Sequence, residues 1–180
     1  MRISGGVLKG RTVQVPPGTI RPSMDRMRES VFGALGDLSG ASFLDIFSGT
    51  GIIALEAASR GAGYVEAVEN DDRKRATLIA NVVISPVRIH CHFMAAELYV
   101  KRAKRSFDYI FCDPPFPYRF KWQLVAGIAA SALVRDGTLI LLQRPREDFF
   151  DGDIAFIRKL TPREFGRSVV EFLRVDKTPA

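Results

Sequence analysis

Phe43-Leu44-Asp45-Ile46-Phe47-Ser48-Gly49-Thr50-Gly51 decides how this chain is read. An apolar run gives way to a serine and two glycines, and a helical stretch follows to about Arg60. That is strand, glycine turn, helix. Glycines at positions 49 and 51 let the backbone turn sharply and come close to a ligand. The helix that follows presents unpaired N–H groups at its start.

Outward from this unit the alternation repeats. Tyr64–Val68 reads as a strand ending at Glu69, and Asp71 to about Ile84 as a helix with acidic residues in its first turn. Val87–Phe93, Phe107–Cys112 and Thr138–Gln143 read as further strands. Helices over Ala95 to about Arg105 and Lys121–Leu133 separate them. Such alternation predicts a parallel sheet with helices on both faces. Two β-rich runs, Ile154–Leu160 and Ser168–Val175, close the chain and predict an antiparallel hairpin at the sheet edge. The expected fold is α/β and Rossmann-like, with a seven-stranded, mostly parallel sheet. Before it, residues 1–20 carry Gly5-Gly6, Gly10 and Pro16-Pro17 and read as a small β-hairpin arm. Residues 21–180, opening with a helix through Met27, Val31 and Leu35, read as the main domain.

Glu69 ends the second strand, where a carboxylate can accept both hydroxyls of a ribose. Gly49, Gly51 and Ala54 also satisfy the dinucleotide fingerprint, so a nicotinamide-dependent oxidoreductase is one reading of this unit. Asp45, inside the strand, points elsewhere: it can meet the amino group of a cationic amino-acid ligand.

A second motif, Asp113-Pro114-Pro115-Phe116, follows the fourth strand at the edge where open α/β sheets bind ligands. Its prolines remove backbone donors and fix φ, leaving a stiff loop rich in carbonyl oxygens. If Asp113 accepts one N–H of an exocyclic base amine and the Pro114 carbonyl the other, the nitrogen lone pair is free to meet a methyl group. Phe116 can stack on the base. Hydride chemistry needs no such loop. Together the motifs predict amino methyl transfer from S-adenosylmethionine to a nucleobase, with RNA favoured over DNA. A protein glutamine or an adenine N6 amine is an alternative acceptor, and a non-catalytic RNA-binding module is another reading.

Bulk properties narrow the field. The 180 residues are 47% hydrophobic and 26% charged, which suits a globular domain. No stretch has the length of a membrane span and the first residues do not resemble a signal peptide, so a cytoplasmic protein without a membrane partner is expected. Cys91 and Cys112 lie on separate strands and His90 and His92 share one strand face, so packing is expected of them and no metal site. The net charge of +6 fits a polyanionic partner. Arg2, Lys9, Arg11, Arg21, Arg26 and Arg28 crowd the N-terminal segment, and Lys101, Arg102, Lys104 and Arg105 form a second cluster. No exposed apolar stripe stands out, which predicts a monomer.

These residues resemble the bacterial 16S ribosomal RNA guanine-N2 methyltransferase family over nearly the whole chain. Arg2-Ile3-Ser4-Gly5-Gly6 with Lys9-Gly10-Arg11 is similar to its N-terminal arm, and Arg21-Pro22-Ser23-Met24-Asp25-Arg26-Met27-Arg28-Glu29-Ser30-Val31-Phe32 to its most distinctive block. Asp45 to Gly51 and Asp113 to Phe116 resemble its cofactor and catalytic motifs. The resemblance implies a class I methyltransferase with S-adenosylmethionine held by Asp45, Phe47, Ser48, Gly49, Thr50, Gly51, Glu69, Asn70, Ala95 and Ala96. It implies 16S rRNA in the small ribosomal subunit as partner, touched by Arg2, Lys9, Arg11, Arg21, Arg26 and Arg28. Two departures stand out. Ala95-Ala96 replaces the family's usual Asp or Asn before the fourth helix, leaving adenine contact to backbone groups or Glu97. Gln143-Arg144-Pro145-Arg146 is basic where the family tends to be acidic.

Overall fold

The computed structural model describes residues 1–15 and 23–177, with the side chains of residues 23 and 24 left aside, so Arg21 lies outside the described residues. In chain order the elements are α1 (Ser23–Leu35), β1 (Ser42–Ile46), α2 (Ile52–Ser59), β2 (Tyr64–Glu69), α3 (Asp72–Val82), β3 (Ile89–Phe93) and α4 (Ala96–Arg102). They continue with β4 (Tyr109–Cys112), α5 (Lys121–Ala129), β5 (Leu139–Pro145), β6 (Ile157–Lys159), β7 (Arg163–Phe165) and β8 (Ser168–Val175).

The sheet runs β3-β2-β1-β4-β5-β8-β6, with β7 also on β8. Strands β1 to β5 are parallel and β8 is antiparallel to its neighbours. From β1 the chain builds outward through β2 and β3, then returns to place β4 on the other side of β1. The strand order therefore reverses between β1 and β4, and a crevice opens at their carboxyl ends.

The antiparallel edge differs from expectation in one respect: among the described residues the sheet has eight strands, not seven. The run expected over 154–160 contributes only Ile157–Lys159, which pairs with the end of β8, while Arg163–Phe165 forms the hairpin with its start. Pro162 cannot donate to a ladder, so the edge breaks there into two short strands. Gly166, at φ 61°, begins the two-residue turn into β8, a position that favours glycine.

All eight residues of α2 are buried. A helix apolar on every side must be covered on every side, and the N-terminal arm supplies the outer cover. Its ends are joined by a bridge between Arg2 and Thr12, and Ile3 and Val13 enter the core beneath it. The arm meets the end of α2 at Ser59, whose carbonyl accepts from the Val7 N–H at 2.8 Å and whose Oγ accepts from the Leu8 N–H at 2.8 Å. A Cβ on Gly6 would lie 1.8 Å from the Ser59 carbonyl oxygen, so only glycine permits this docking. Farther along, Asn81 bonds to the Gln14 backbone and to the Thr50 carbonyl, which brings the arm's far end beside the glycine turn.

Arg28 corrects the expectation of an RNA contact at that position. It is fully buried. Its guanidinium donates to the Arg2 carbonyl and Asp25 at 2.8 Å and meets Glu56 of α2 at 3.4 Å. Helix α1 turns this side chain inward because the arm and α2 carry the acceptors that an inward-facing guanidinium requires. Among the described residues, no helix is long and apolar enough to cross a membrane.

Candidate active site

The two motifs meet at the reversal point of the sheet. Ile46 pairs with Cys112, and the Asp113 N–H donates to the Ile46 carbonyl at 3.2 Å, so both loops leave the sheet side by side. The first turns at once. Phe47 has φ 65°, a left-handed conformation that costs a non-glycine residue roughly 1–2 kcal/mol. Gly49 and Gly51 follow at φ 57° and 79°. A Cβ on Gly51 would sit 2.6 Å from Leu78 Cδ1, so glycine lets α3 pack against the turn. A Cβ on Gly49 would meet only the Phe47 carbonyl, at 4.0 Å, among the described residues, so that side of the turn is open.

Two carboxylates border that crevice from beneath. Asp45 is fully buried; its Oδ2 accepts from the Ala54 N–H at 3.1 Å, while its Oδ1 has no hydrogen-bond partner among the described residues. Burial pushes its carboxyl up to about 7, and the nearby charges of Asp113 and Glu69 push the same way. A buried acceptor at the floor of a glycine-lined crevice fits a ligand ammonium. Glu69 is also buried and accepts from the Gly49 N–H at 2.7 Å and the Asp71 N–H at 2.8 Å. An ionised carboxylate has about four acceptor positions, so these bonds leave room for ribose hydroxyls. They also tie the two loops together. Ser48 is buried, its Oγ donating to the Asp45 carbonyl at 3.0 Å, and Asn70 is exposed beside Glu69.

Across the crevice, Asp113 and Phe116 are half-buried, Pro114 is buried and Pro115 exposed. Asp113 lies close enough to act electrostatically on Asp45, which puts the acidic turn near the buried carboxylate of β1. Two residues at this loop, one in it and one at the start of α5, are not singled out by the sequence. The Tyr118 ring lies 5.4 Å from Phe47, and its hydroxyl donates to Glu97 at the start of α4. This contact links the glycine turn, the Asp113 loop and α4, with Glu97 held by a tyrosine. Ala95 precedes α4 without a side-chain cap and Ala96 is buried, so this corner offers a ligand backbone and apolar contacts. The second is Lys121, buried beneath the loop. A sequence signal existed in the aromatic and basic run Phe116-Pro117-Tyr118-Arg119-Phe120-Lys121, but nothing in it named the partners.

The remaining candidates divide by place. Arg2, Lys9, Arg11 and Arg26 are exposed. Lys101 and Arg102 form the last turn of α4 and Lys104 and Arg105 follow it, with Arg105 over the ring of Tyr64 at the start of β2. Arg144 is buried against Glu171, and Arg146 pairs with Glu164, so the basic run after β5 is held by internal partners. His92 meets Glu66, His90 stacks on Tyr64, and Cys112 is buried.

A sheet of this order, with a glycine crevice, a buried acidic floor and a stiff Asp-Pro-Pro-Phe turn at the reversal point, defines a class I methyltransferase of the kind that uses S-adenosylmethionine. The family described as conserved hypothetical protein 95 matches residues 1–174. Ribosomal RNA small subunit methyltransferase D of Escherichia coli K12 is 34% identical over 152 residues, covering 82% of this chain and 76% of that protein. YlbH of Bacillus subtilis is 29% identical over 176 residues, covering 89% and 93%. The solved structure of Escherichia coli yhhF superposes with a TM-score of 0.88 at 26% identity, covering 99% of each chain. The chain belongs to this family, that of ribosomal RNA small subunit methyltransferase D.

Proposed function

We propose that this chain transfers a methyl group from S-adenosylmethionine to the exocyclic N2 amine of a guanine in 16S rRNA of the small ribosomal subunit. The observation that carries the reading is the placement of Asp113, half-buried, beside the crevice that the Asp45 floor and the glycine turn define. The Escherichia coli relative's name supports ribosomal RNA of the small subunit as the acceptor.

Asp45 receives the ammonium of the cofactor's amino-acid part, and Glu69 with the Asn70 segment holds the ribose. Phe47, Ser48, Gly49, Thr50 and Gly51 wrap the backbone around it, and Ala95-Ala96 border the adenine. When bound, S-adenosylmethionine supplies an electrophilic methyl group on a sulfonium. Asp113 accepts one N–H of the guanine amine and the Pro114 carbonyl the other, which orients the nitrogen lone pair toward the crevice. Phe116 stacks on the base and Pro115 keeps the turn stiff. As positive charge builds on nitrogen, the Asp113 carboxylate stabilises it. The methylated ammonium is acidic, so its proton can leave afterwards without a strong base. Arg2, Lys9, Arg11 and Arg26 contact RNA phosphates.

Methyl-acceptor assays on intact small subunits, naked 16S RNA and duplex DNA test this, followed by identification of the modified base. N2-methylguanine in ribosomal RNA is expected. Labelling confined to DNA, or N6-methyladenine as product, would replace the proposed substrate. Calorimetric titration should show binding of S-adenosylhomocysteine and none of NADH; the reverse would restore the oxidoreductase reading.

A further inference from the structure

We propose that Lys121 is a positioning residue whose ammonium clamps the base-holding loop from beneath; this rests on reading Asp113–Phe116 as the loop that holds the guanine amine. Lys121 is the first residue of α5, and its side chain is 2% exposed. Both facts run against local preference. Burial strips water from an ammonium, and the start of a helix carries partial positive charge that disfavours a cation. Something at this place must offset both.

Three acceptors do. Nζ lies 2.7 Å from Asp148 Oδ2 and 3.1 Å from the Phe116 carbonyl, and it also donates to the Tyr118 carbonyl. An ammonium has three N–H donors, so its capacity is filled. Two of the acceptors belong to the loop itself. That loop contains Pro114, Pro115 and Pro117, which have no N–H, so it is poor in donors for its own carbonyls. The third acceptor lies beyond β5, and a cavity of about 520 Å³ between the two segments is walled by Phe116, Tyr118, Lys121 and Asp148. Lys121 therefore joins the loop that follows Asp113 to the segment after β5, on the far wall of that cavity. Releasing it leaves Asp113 in place just after β4, where its N–H is held by the Ile46 carbonyl, but frees Phe116 and Tyr118 to shift. Misplacement of about 1 Å in a site of this kind can cost on the order of a hundredfold in rate.

The test uses the full chain and its RNA substrate. Lys121→Met keeps the stem and removes the donors; its kcat should fall about ten- to a hundredfold, with affinity for S-adenosylhomocysteine changed less, within about fivefold, because Lys121 reaches Phe47 only through Tyr118. Amide exchange at Tyr118, Arg119 and Phe120 should quicken. The double variant Lys121→Met/Asp148→Asn removes the carboxylate left unpaired and should recover thermal stability but not kcat. Recovery of kcat together with stability would mean the pair serves folding alone and would overturn the clamp. So would wild-type kcat or unchanged amide exchange in Lys121→Met. Should that variant not fold, Lys121→Gln, whose shorter side chain has only two N–H donors for three acceptors, is expected to fold with intermediate kcat, and a wild-type rate there together with quickened amide exchange at Tyr118 and Phe120 overturns the clamp equally. Asp113→Ala, run alongside, separates the two ideas. An active wild type with inactive Asp113→Ala and fully active Lys121→Met removes only the clamp. Failure of wild type to methylate any RNA removes the function and the clamp with it.

Discussion

Asp45 and Glu56 are both fully buried carboxylates on the first strand–helix unit, yet their surroundings differ. Glu56 faces the arm and is completed by the protein: the Ser4 N–H at 2.6 Å, Arg28 at 3.4 Å and Arg60 at 3.4 Å surround it. Asp45 faces the crevice and is left incomplete, one oxygen bonded to Ala54 and the other without a partner among the described residues. Burial of a charge is costly unless its hydrogen-bonding capacity is met. Where the chain meets it, the carboxylate holds structure together. Where the chain does not, the carboxylate keeps an unused acceptor, the feature on which the proposed ligand contact rests.

Four measurements break or sharpen that contrast. The largest effect is expected on the completed side. Arg28→Met leaves the buried Glu56 with the Ser4 N–H and Arg60 alone, and denaturant unfolding should show a loss of up to about 3–5 kcal/mol; a loss below about 1 kcal/mol would make the network dispensable. On the crevice side, function should suffer instead. Asp113→Ala should lower turnover roughly 10²–10³-fold while S-adenosylhomocysteine affinity stays within a few-fold, and near-normal turnover would strip Asp113 of its role. Glu69→Ala should weaken cofactor binding by about 1.5–3 kcal/mol and loosen the Gly49 and Asp71 amides that it holds; unchanged affinity would place the ribose elsewhere.

The smallest effect comes from titrating Asp45, whose carboxyl is pushed up to about 7. Between pH ~4 and ~7 the folded, ligand-free chain holds this proton more tightly than the unfolded chain, so stability from this group falls as pH rises through that window. Cofactor binding runs the other way. A ligand ammonium pairs with the ionised form, so S-adenosylhomocysteine affinity should rise by up to about 1.4 kcal/mol per pH unit below ~7 and level off above. Asp45→Asn should flatten both profiles. A flat wild-type binding curve between pH ~5.5 and ~8 would show that Asp45 does not receive the ammonium.

Much of the crevice could be read in advance because it is built from local signals. Glu69 ends β2, Asp113 follows β4 directly, and Gly49 and Gly51 lie in the turn between β1 and α2, all places marked by glycine, proline and the stop of an apolar run. Arg28 was misjudged because a string of arginines looks the same whether each faces water or a buried carboxylate 28 residues away. Lys121 and Tyr118 escaped notice for a similar reason: their partners, Asp148 and Glu97, come from segments that meet only once the sheet is assembled. At the far edge, the alternation of residues after 154 was visible, but Pro162 divided it into two strands on one partner.

The order of apolar and polar residues by itself determined the alternating architecture, the glycine turn and the chemistry on offer at strand ends, since periodicity and turn propensity act over a few neighbouring residues. Only the tertiary structure decided which charges are spent inside and which are left for a ligand. That choice depends on the company each buried group keeps, and the companions of Asp45, Glu56 and Lys121 are gathered from distant parts of the chain by the folding of the sheet and its covering helices.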